Sequence, residues 1–349
     1  MSTSTTNTAG AGASTPKKST PSGTSKFGGA VSFLRKPELA ILPVLVVVII
    51  AGGLLNSSFL SYDNIFGVLQ QASELAVLVM GLTLVLITGK FDLSLESTFG
   101  LAPMVGAYLF LSTTNGGLDI LGSPILAIIA IFVVGAFIGL FNGFLVVYLK
   151  FNAFIATLAT LILLRGVSLG LTKGETLSSL PPEMTVMGQS SFAGVPTSFV
   201  VAIAVFVVLT LFLTRHRAGR MLYAVGGNQH AARVAGVRVE RIVLGVFIVA
   251  GMLAALAGLL QVGRIASIPA SLGQNLIFSA FAAAVLGGVS LNGGKGTMAG
   301  ACGGVLLLVL IQNVLILSAV PGYWIDATTG GIILVALLIS RLTGNQPPA

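Results

Sequence analysis

Charge is scarce in this chain. Of its 349 residues only 8% are charged, 10 acidic against 18 basic, while 55% are hydrophobic. A soluble protein of this length needs a polar shell that such a composition cannot supply, and the mean hydropathy of +1.02 indicates a polytopic α-helical membrane protein. The lone cysteine, Cys302, excludes an internal disulfide framework and a multi-cysteine metal site; set among glycines in an apolar run, it reads as a small packing residue. The two histidines, His216 and His230, lack metal-ligand spacing and read as solvated loop residues, so no metal is expected. Neither a Gly-x-Ser-x-Gly elbow nor a His-Glu-x-x-His pair occurs. The nearest approach to a phosphate-binding loop, Gly288 and Gly293, has Gly294 where that motif requires lysine. Neither an enzyme nor a nucleotide-binding chain is therefore expected. The net charge of +8 points superficially to nucleic acid, but the basic residues fall between apolar runs, where membrane orientation explains them.

What is present is a succession of apolar runs. A bilayer core takes about 20 apolar residues per helix, and on that ruler the chain carries about ten spans: 39–55, 66–88, 95–112, 124–148, 152–172, 197–214, 243–263, 276–291, 297–318 and 325–341. Residues 1–38, rich in Ser, Thr, Gly, Ala and Pro, are expected to form a disordered cytoplasmic tail. Residues 39–342 form the transmembrane domain and 343–349 a second short tail. The positive-inside rule then places both termini in the cytoplasm. On that alternation Lys90, Lys150, Lys295 and the arginines of residues 214–241 face inward, and only Lys173 and Arg264 face outward. The 214–241 segment is a polar island carrying Arg215, Arg217, Arg220, Arg233, Arg238 and Arg241 between two spans. The longest outer loop is 173–196, with Pro181, Pro182 and Pro196 as breakers.

Small residues recur four apart at Gly135, Gly139 and Gly143 and again at Gly296, Gly300 and Gly304. Such rows let helix backbones approach, either within one subunit, the preferred reading, or along a seam between subunits. Two polar breaks interrupt the apolar pattern, Gly89-Lys90-Phe91-Asp92-Leu93-Ser94 and the stretch from Gly287 and Gly288 through Gly296. Each either lines a path or makes a turn at the inner surface, because broken backbone at membrane depth needs protein or a water-filled cavity around it. Glu74 and Arg165 stand inside spans, and an ion pair between them is one open reading. So few intramembrane charges argue against an ion-coupled carrier working alone. They suit a passage for a neutral, hydroxylated solute, with Gln70, Asp92, Ser94, Asn142, Thr157, Gly287 and Gly288 as pathway candidates.

Together the two breaks and the island resemble one family, the permease subunit of bacterial ABC importers for ribose, xylose, galactose and similar monosaccharides. Gly89 to Ser94 is similar to that family's Gly-Gly-x-Asp-Leu-Ser element, with Lys90 replacing its second glycine. A second resemblance runs through Asn142-Gly143, Lys150, Phe154-Ile155-Ala156-Thr157-Leu158 and Arg165-Gly166. The island resembles the family pattern through Gly219-Arg220, Tyr223-Ala224, Gly226-Gly227-Asn228, Ala231-Ala232-Arg233 and Gly236; Ala282 to Gly288 and Gly293 to Thr297 complete the likeness. Just before Ala282 to Gly288, where many members carry acidic residues, this chain departs from the pattern and reads Gly273-Gln274-Asn275-Leu276-Ile277-Phe278-Ser279-Ala280. The resemblance implies an all-α permease in the type II, vitamin-B12-importer-like arrangement. It also implies a second permease copy or a related permease, surrounding membrane lipid, cytoplasmic ATPase subunits that carry ATP-Mg, and an extracytoplasmic solute-binding protein. It further implies that about Gln229 to Val237 is the coupling helix resting on the ATPase, with Gly227, Asn228, Ala231, Ala232, Arg233 and Gly236 as coupling residues. A nucleoside, an autoinducer or another small hydroxylated solute is the alternative cargo.

Overall fold

Lipid offers no hydrogen bonds, so a chain this apolar must satisfy its backbone internally, and helices do so segment by segment. The computed structural model describes residues 41–342; the expected tails at 1–38 and 343–349 lie outside the described residues. In chain order the helices are α1 (Ile41–Leu55), α2 (Tyr62–Ile87), α3 (Leu95–Phe110), α4 (Pro124–Val147), α5 (Ala153–Thr172), α6 (Pro182–Gln189), α7 (Thr197–Arg215), α8 (Arg217–Gly227), α9 (Gln229–Val234), α10 (Val239–Ile265), α11 (Leu276–Leu286), α12 (Met298–Leu317) and α13 (Gly322–Leu342). Strands are confined, among the described residues, to the two-residue hairpin β1 (Ser191–Phe192) and β2 (Val195–Pro196), paired antiparallel with Ser191 opposite Pro196. Side-chain caps fix several starts: Ser61 accepts from the Asn64 amide, Ser123 from Ile125, Asn152 from Ile155 and Thr297 from Gly300.

Each of the ten expected spans contains a helix. Six of these, α2, α4, α5, α7, α10 and α12, are long and apolar enough to cross a membrane by length and composition, and α1 and α11 are shorter apolar helices. The largest departure is α11, expected over 276–291. It stops at Leu286 because Gly287 ends the helical run and Gly288 turns with a φ of +78°. Its 11 residues rise only about 16 Å, half the hydrocarbon thickness.

The centre is α2 and α10. Of the most apolar stretch of each helix, 83% is buried in α2 and 61% in α10, against 22% to 28% in α4, α5 and α7. Those three peripheral helices expose Val133, Phe137, Ile162, Leu163 and Val208, the surface a lipid-facing helix presents. Close approach at the centre uses the glycine rows. A Cβ on Gly135 or Gly139 would overlap backbone atoms of Gly251 and Phe247, so α4 lies directly on α10. Gly300 and Gly304 do the same for α12 against the carbonyls of Gly287 and Ala283. Both rows therefore pack helices within this subunit, where dispersion contacts replace the hydrophobic drive that lipid cannot provide.

Candidate functional site

The polar island folds as α8 and α9, the two short helices between α7 and α10. Asn228 separates them. Its backbone is extended, φ −159° and ψ 104°, and its side-chain Oδ1 accepts from the Ala231 amide at 2.9 Å, capping α9. At the other end the chain turns through Gly236, φ +82°, after the Val237 amide has donated to the Ala232 carbonyl at 3.0 Å. Ala232 is buried against the body of the protein, while Gly227, Ala231, Arg233, Val234 and Gly236 are exposed, Val234 to 78%. Arg233 donates twice to Glu240 Oε1, from Nε at 3.2 Å and from Nη2 at 2.7 Å, tying α9 to the first turn of α10.

Gly226 brings the island onto both polar breaks. A Cβ there would overlap the Ile87 carbonyl oxygen, at the end of α2, and crowd the Gly294 amide. That amide donates to the same Ile87 oxygen at 2.8 Å. A Cβ on Gly293 would in turn meet the Gly89 backbone at 2.7 Å. The Tyr223 hydroxyl donates to the Gly296 carbonyl at 2.8 Å, adding a side-chain tie. Three segments far apart in sequence, Ile87–Gly89, Gly226–Gly227 and Gly293–Gly294, thus meet backbone to backbone.

Above this junction the first break, Thr88 to Ser94, does not stay at the surface. Leu93 donates through its amide to Thr157 Oγ1 at 3.1 Å, and Thr157 stands four residues into α5, about 6 Å of helix rise. Ser97, further on, donates to the Leu161 carbonyl at 2.7 Å. The break therefore climbs alongside α5 before α3 begins. Its polar groups close on one another: Ser94 Oγ lies 2.5 Å from Asp92 Oδ1, Asn142 Nδ2 donates to Ser94 Oγ at 2.8 Å, and Thr160 Oγ1 donates to Asn142 Oδ1 at 2.8 Å. Asp92, in the loop outside the spans, is fully buried and its Oδ2 has no partner.

The pathway candidates therefore separate into three places. Asp92, Ser94, Asn142 and Thr157 gather in this buried network. Gln70 stands apart and donates through Nε2 to the Gly188 carbonyl at 2.6 Å, under the outer helix α6. Gly287 and Gly288 form the turn that ends α11, pressed against α12.

Pairing of Glu74 with Arg165 does not occur. Helix α5 packs on α3 and α4, whereas α2 packs on α10, so each charge finds a different partner. Arg264 grips Glu74 with two bonds, Nε to Oε1 at 2.7 Å and Nη2 to Oε2 at 3.0 Å. Arg165 donates to Glu96 Oε1, and Glu96 Oε2 also accepts from the Ile277 amide at 3.3 Å. The Glu96 carboxylate thus joins the N-terminal ends of α3 and the half-length α11, where helix dipoles favour an anion. Beside it, Gln71, Glu74, Gln261, Arg264, Ser279 and Gln312 line a cavity of about 80 Å³ together with Leu75, Phe99 and Leu276. The sequence pattern placed Arg264 on the outer side, marked Ser279 only within the stretch that departs from the family, and left Gln261 and Gln312 unremarked. The available signal was the pair Gln261 and Arg264, one helical turn apart in an otherwise apolar run.

Similar proteins agree with one another. The ribose import permease protein RbsC of Escherichia coli K12 is 34% identical over 326 residues, 92% of this chain and 98% of that protein. Its Bacillus subtilis counterpart is 35% identical over 299 residues, 85% and 90% of the two chains. The autoinducer 2 import system permease protein LsrC of Escherichia coli K12 DH10B is 35% identical over 302 residues, 86% of each chain. A family model described as the permease component of the branched-chain amino acid transport system matches residues 64–338. With that coverage, and with relatives named as permeases over nearly its whole length, the chain belongs to this family of ABC-importer permeases: it is a multi-pass membrane transport subunit and not an enzyme.

Proposed function

We propose that this permease carries a neutral monosaccharide inward, driven by ATP-Mg hydrolysis on partner ATPase subunits and fed by an extracytoplasmic solute-binding protein. Relatives named for ribose support the sugar. The relative named for autoinducer 2 is as similar as they are, which favours that small hydroxylated solute as a second reading. The shortage of intramembrane charge argues for a neutral cargo in either case. In this reading α9 rests on the ATPase through Gly227, Asn228, Ala231, Arg233 and Gly236, with exposed Val234 entering its groove, while Ala232 anchors the helix from behind.

The observation that carries the reading is the backbone junction of Ile87–Gly89, Gly226–Gly227 and Gly293–Gly294. Motion of α9 has no side chain to absorb it there, so it passes to the lower ends of α2 and of the second break at once and tilts both broken helices. Asp92, Ser94, Asn142 and Thr157 hold the first break in shape during that motion. Arg165, partly exposed in an otherwise apolar span, supports a path along this face, against a second permease copy, because an ionisable group at that depth needs water or protein around it. The outer segment 173–196, with α6 and the β1–β2 hairpin, is the surface offered to the binding protein.

The test is uptake of radiolabelled D-ribose in cells that express this chain with its own ATPase and binding protein. Gly236→Arg sets a bulky charge on the docking face; the space there is open but the φ of +82° strains any L residue. Gly236→Ala, which carries the strain without the charge, is therefore the control and should keep uptake. The arginine variant should leave the permease membrane-inserted and the ATPase active while abolishing uptake. Unchanged uptake in that variant removes the coupling role.

A further inference from the structure

The cavity between α2, α10, α11 and α12 is built unlike the rest of the membrane interior. Six polar side chains from four helices converge on it: Gln71 and Glu74 from α2, Gln261 and Arg264 from α10, Ser279 from α11 and Gln312 from α12. Its charges cancel, since Arg264 and Glu74 are locked together by two hydrogen bonds. Three primary amides and one hydroxyl remain. Gln312 spends one donor on Thr329 Oγ1 at 3.2 Å, and Gln261 Oε1 is buried with no hydrogen-bond partner. An unmet buried acceptor destabilises the fold unless something donates to it. The volume of about 80 Å³ has room for several waters, at roughly 10–15 Å³ each. Phe99, Leu75 and Leu276 supply apolar walls between the polar groups, the mixture that suits alternating C–H and O–H surfaces.

We propose that this cavity is a solute-binding station inside the permease, taking the hydroxyl-bearing end of a neutral polyol or monosaccharide, with Gln261 Oε1 accepting one of its hydroxyl protons. The inference rests on the sugar-import reading above and assigns that solute a resting place within one subunit. An anion or cation is rejected because the only charges in the cavity already satisfy each other. Arg264 lies one residue from the outer end of α10, so the station sits on the extracytoplasmic side of the half-length helix α11 and is reached before the junction at the cytoplasmic ends.

Thiol protection tests this directly. In full-length chain carrying Cys302→Ala, which removes the lone cysteine, Ser279→Cys places a reactive group of nearly the same size in the cavity wall. Its alkylation by N-ethylmaleimide is followed in nanodiscs with D-ribose, D-xylose, D-galactose, sodium glutamate or arginine hydrochloride. At least one neutral sugar should slow labelling about fivefold at a concentration about four times its Kd. Adding Gln261→Met, or separately Gln312→Met, should abolish that protection while the protein stays monodisperse. Labelling that none of the three sugars slows, or protection by glutamate or arginine, overturns the proposal. The cargo reading fails elsewhere: an assembled importer that takes up none of the three sugars sinks it, whatever the labelling shows.

Discussion

The junction at the end of α2 and the cavity beside Arg264 are opposite kinds of construction in one subunit. At the junction Gly89, Gly226, Gly293 and Gly294 bring backbones into contact with no side chains between them. Such a contact is stiff, because displacing one segment displaces the next, and it tolerates no added atom. The cavity is made of long side chains, Gln71, Gln261 and Gln312 among them, which change rotamer at little cost and can follow a ligand. A stiff contact suits the transmission proposed for the junction, and adaptable side chains suit the recognition proposed for the cavity. The junction closes on Ile87 at the end of α2, while the cavity takes Gln71 and Glu74 from further back in the same helix and Gln261 and Arg264 from α10.

The most severe break of this contrast is a side chain inserted into the junction. Gly226→Val would drive two methyl groups into the Ile87 carbonyl and the Gly294 amide. Overpacking of this kind destabilises by about 1–3 kcal/mol or more, and here it also pries apart the three segments. We expect complete loss of transport and a lowered thermal midpoint, read by uptake and by melting of the solubilised protein. Its neighbour Gly227 has open space around its Cβ position. Gly227→Ala should melt no lower than the parent chain, since alanine is the better helix residue by about 1 kcal/mol. If the two variants melt alike, the junction is not the constrained contact its geometry implies.

A smaller effect is expected from the cavity. Glu74→Gln leaves Arg264 with an amide where it had a carboxylate, and because Arg264 is partly exposed the loss should reach only about 2–3 kcal/mol, below the ~3–5 for a fully buried pair. Replacing both partners, Glu74→Gln with Arg264→Met, should recover part of that loss in melting experiments. A double variant less stable than the single one would mean the pair stabilises in its own right, beyond satisfying two charges.

The same contrast explains what the sequence disclosed. Backbone contacts demand glycine at fixed places, so Gly89, Gly226, Gly293 and Gly294 stood out as short patterns before their meeting was visible. The spans were equally legible, because lipid imposes length and apolarity on each segment separately; the caps at Ser61, Ser123, Asn152 and Thr297 emerged only with the structure. What escaped was everything set by distance in space. Glu74 was conspicuous as an intramembrane charge, but its partner depended on which helices pack together, and Arg264 lies 190 residues away in the chain. The length of α11 was missed because Val289 and Leu291 carried the expected span into the break, whereas the turn at Gly287 and Gly288 ends the helix before them. The cavity left only scattered traces, Glu74 and the Gln261–Arg264 pair, being six polar residues contributed singly or in pairs by four helices.

The finest test of the comparison removes a single hydrogen bond at the junction's outer face. Asn228 Oδ1 accepts from the Ala231 amide at 2.9 Å and holds the first turn of α9. Asn228→Ala loses that cap, about 1 kcal/mol, and α9 is only six residues long, too short to persist by propensity alone. Bulk melting should barely move, since Ala232 is the only buried residue of α9 and the buried centre of the protein is far from it. Coupling should weaken, with uptake per ATP hydrolysed falling several-fold, because a frayed helix transmits less of the ATPase motion to Gly226. Asn228→Asp keeps the acceptor and should restore coupling. If Asp fails to rescue while Ala leaves melting unchanged, Asn228 acts through its amide donors on the ATPase surface and not as a cap.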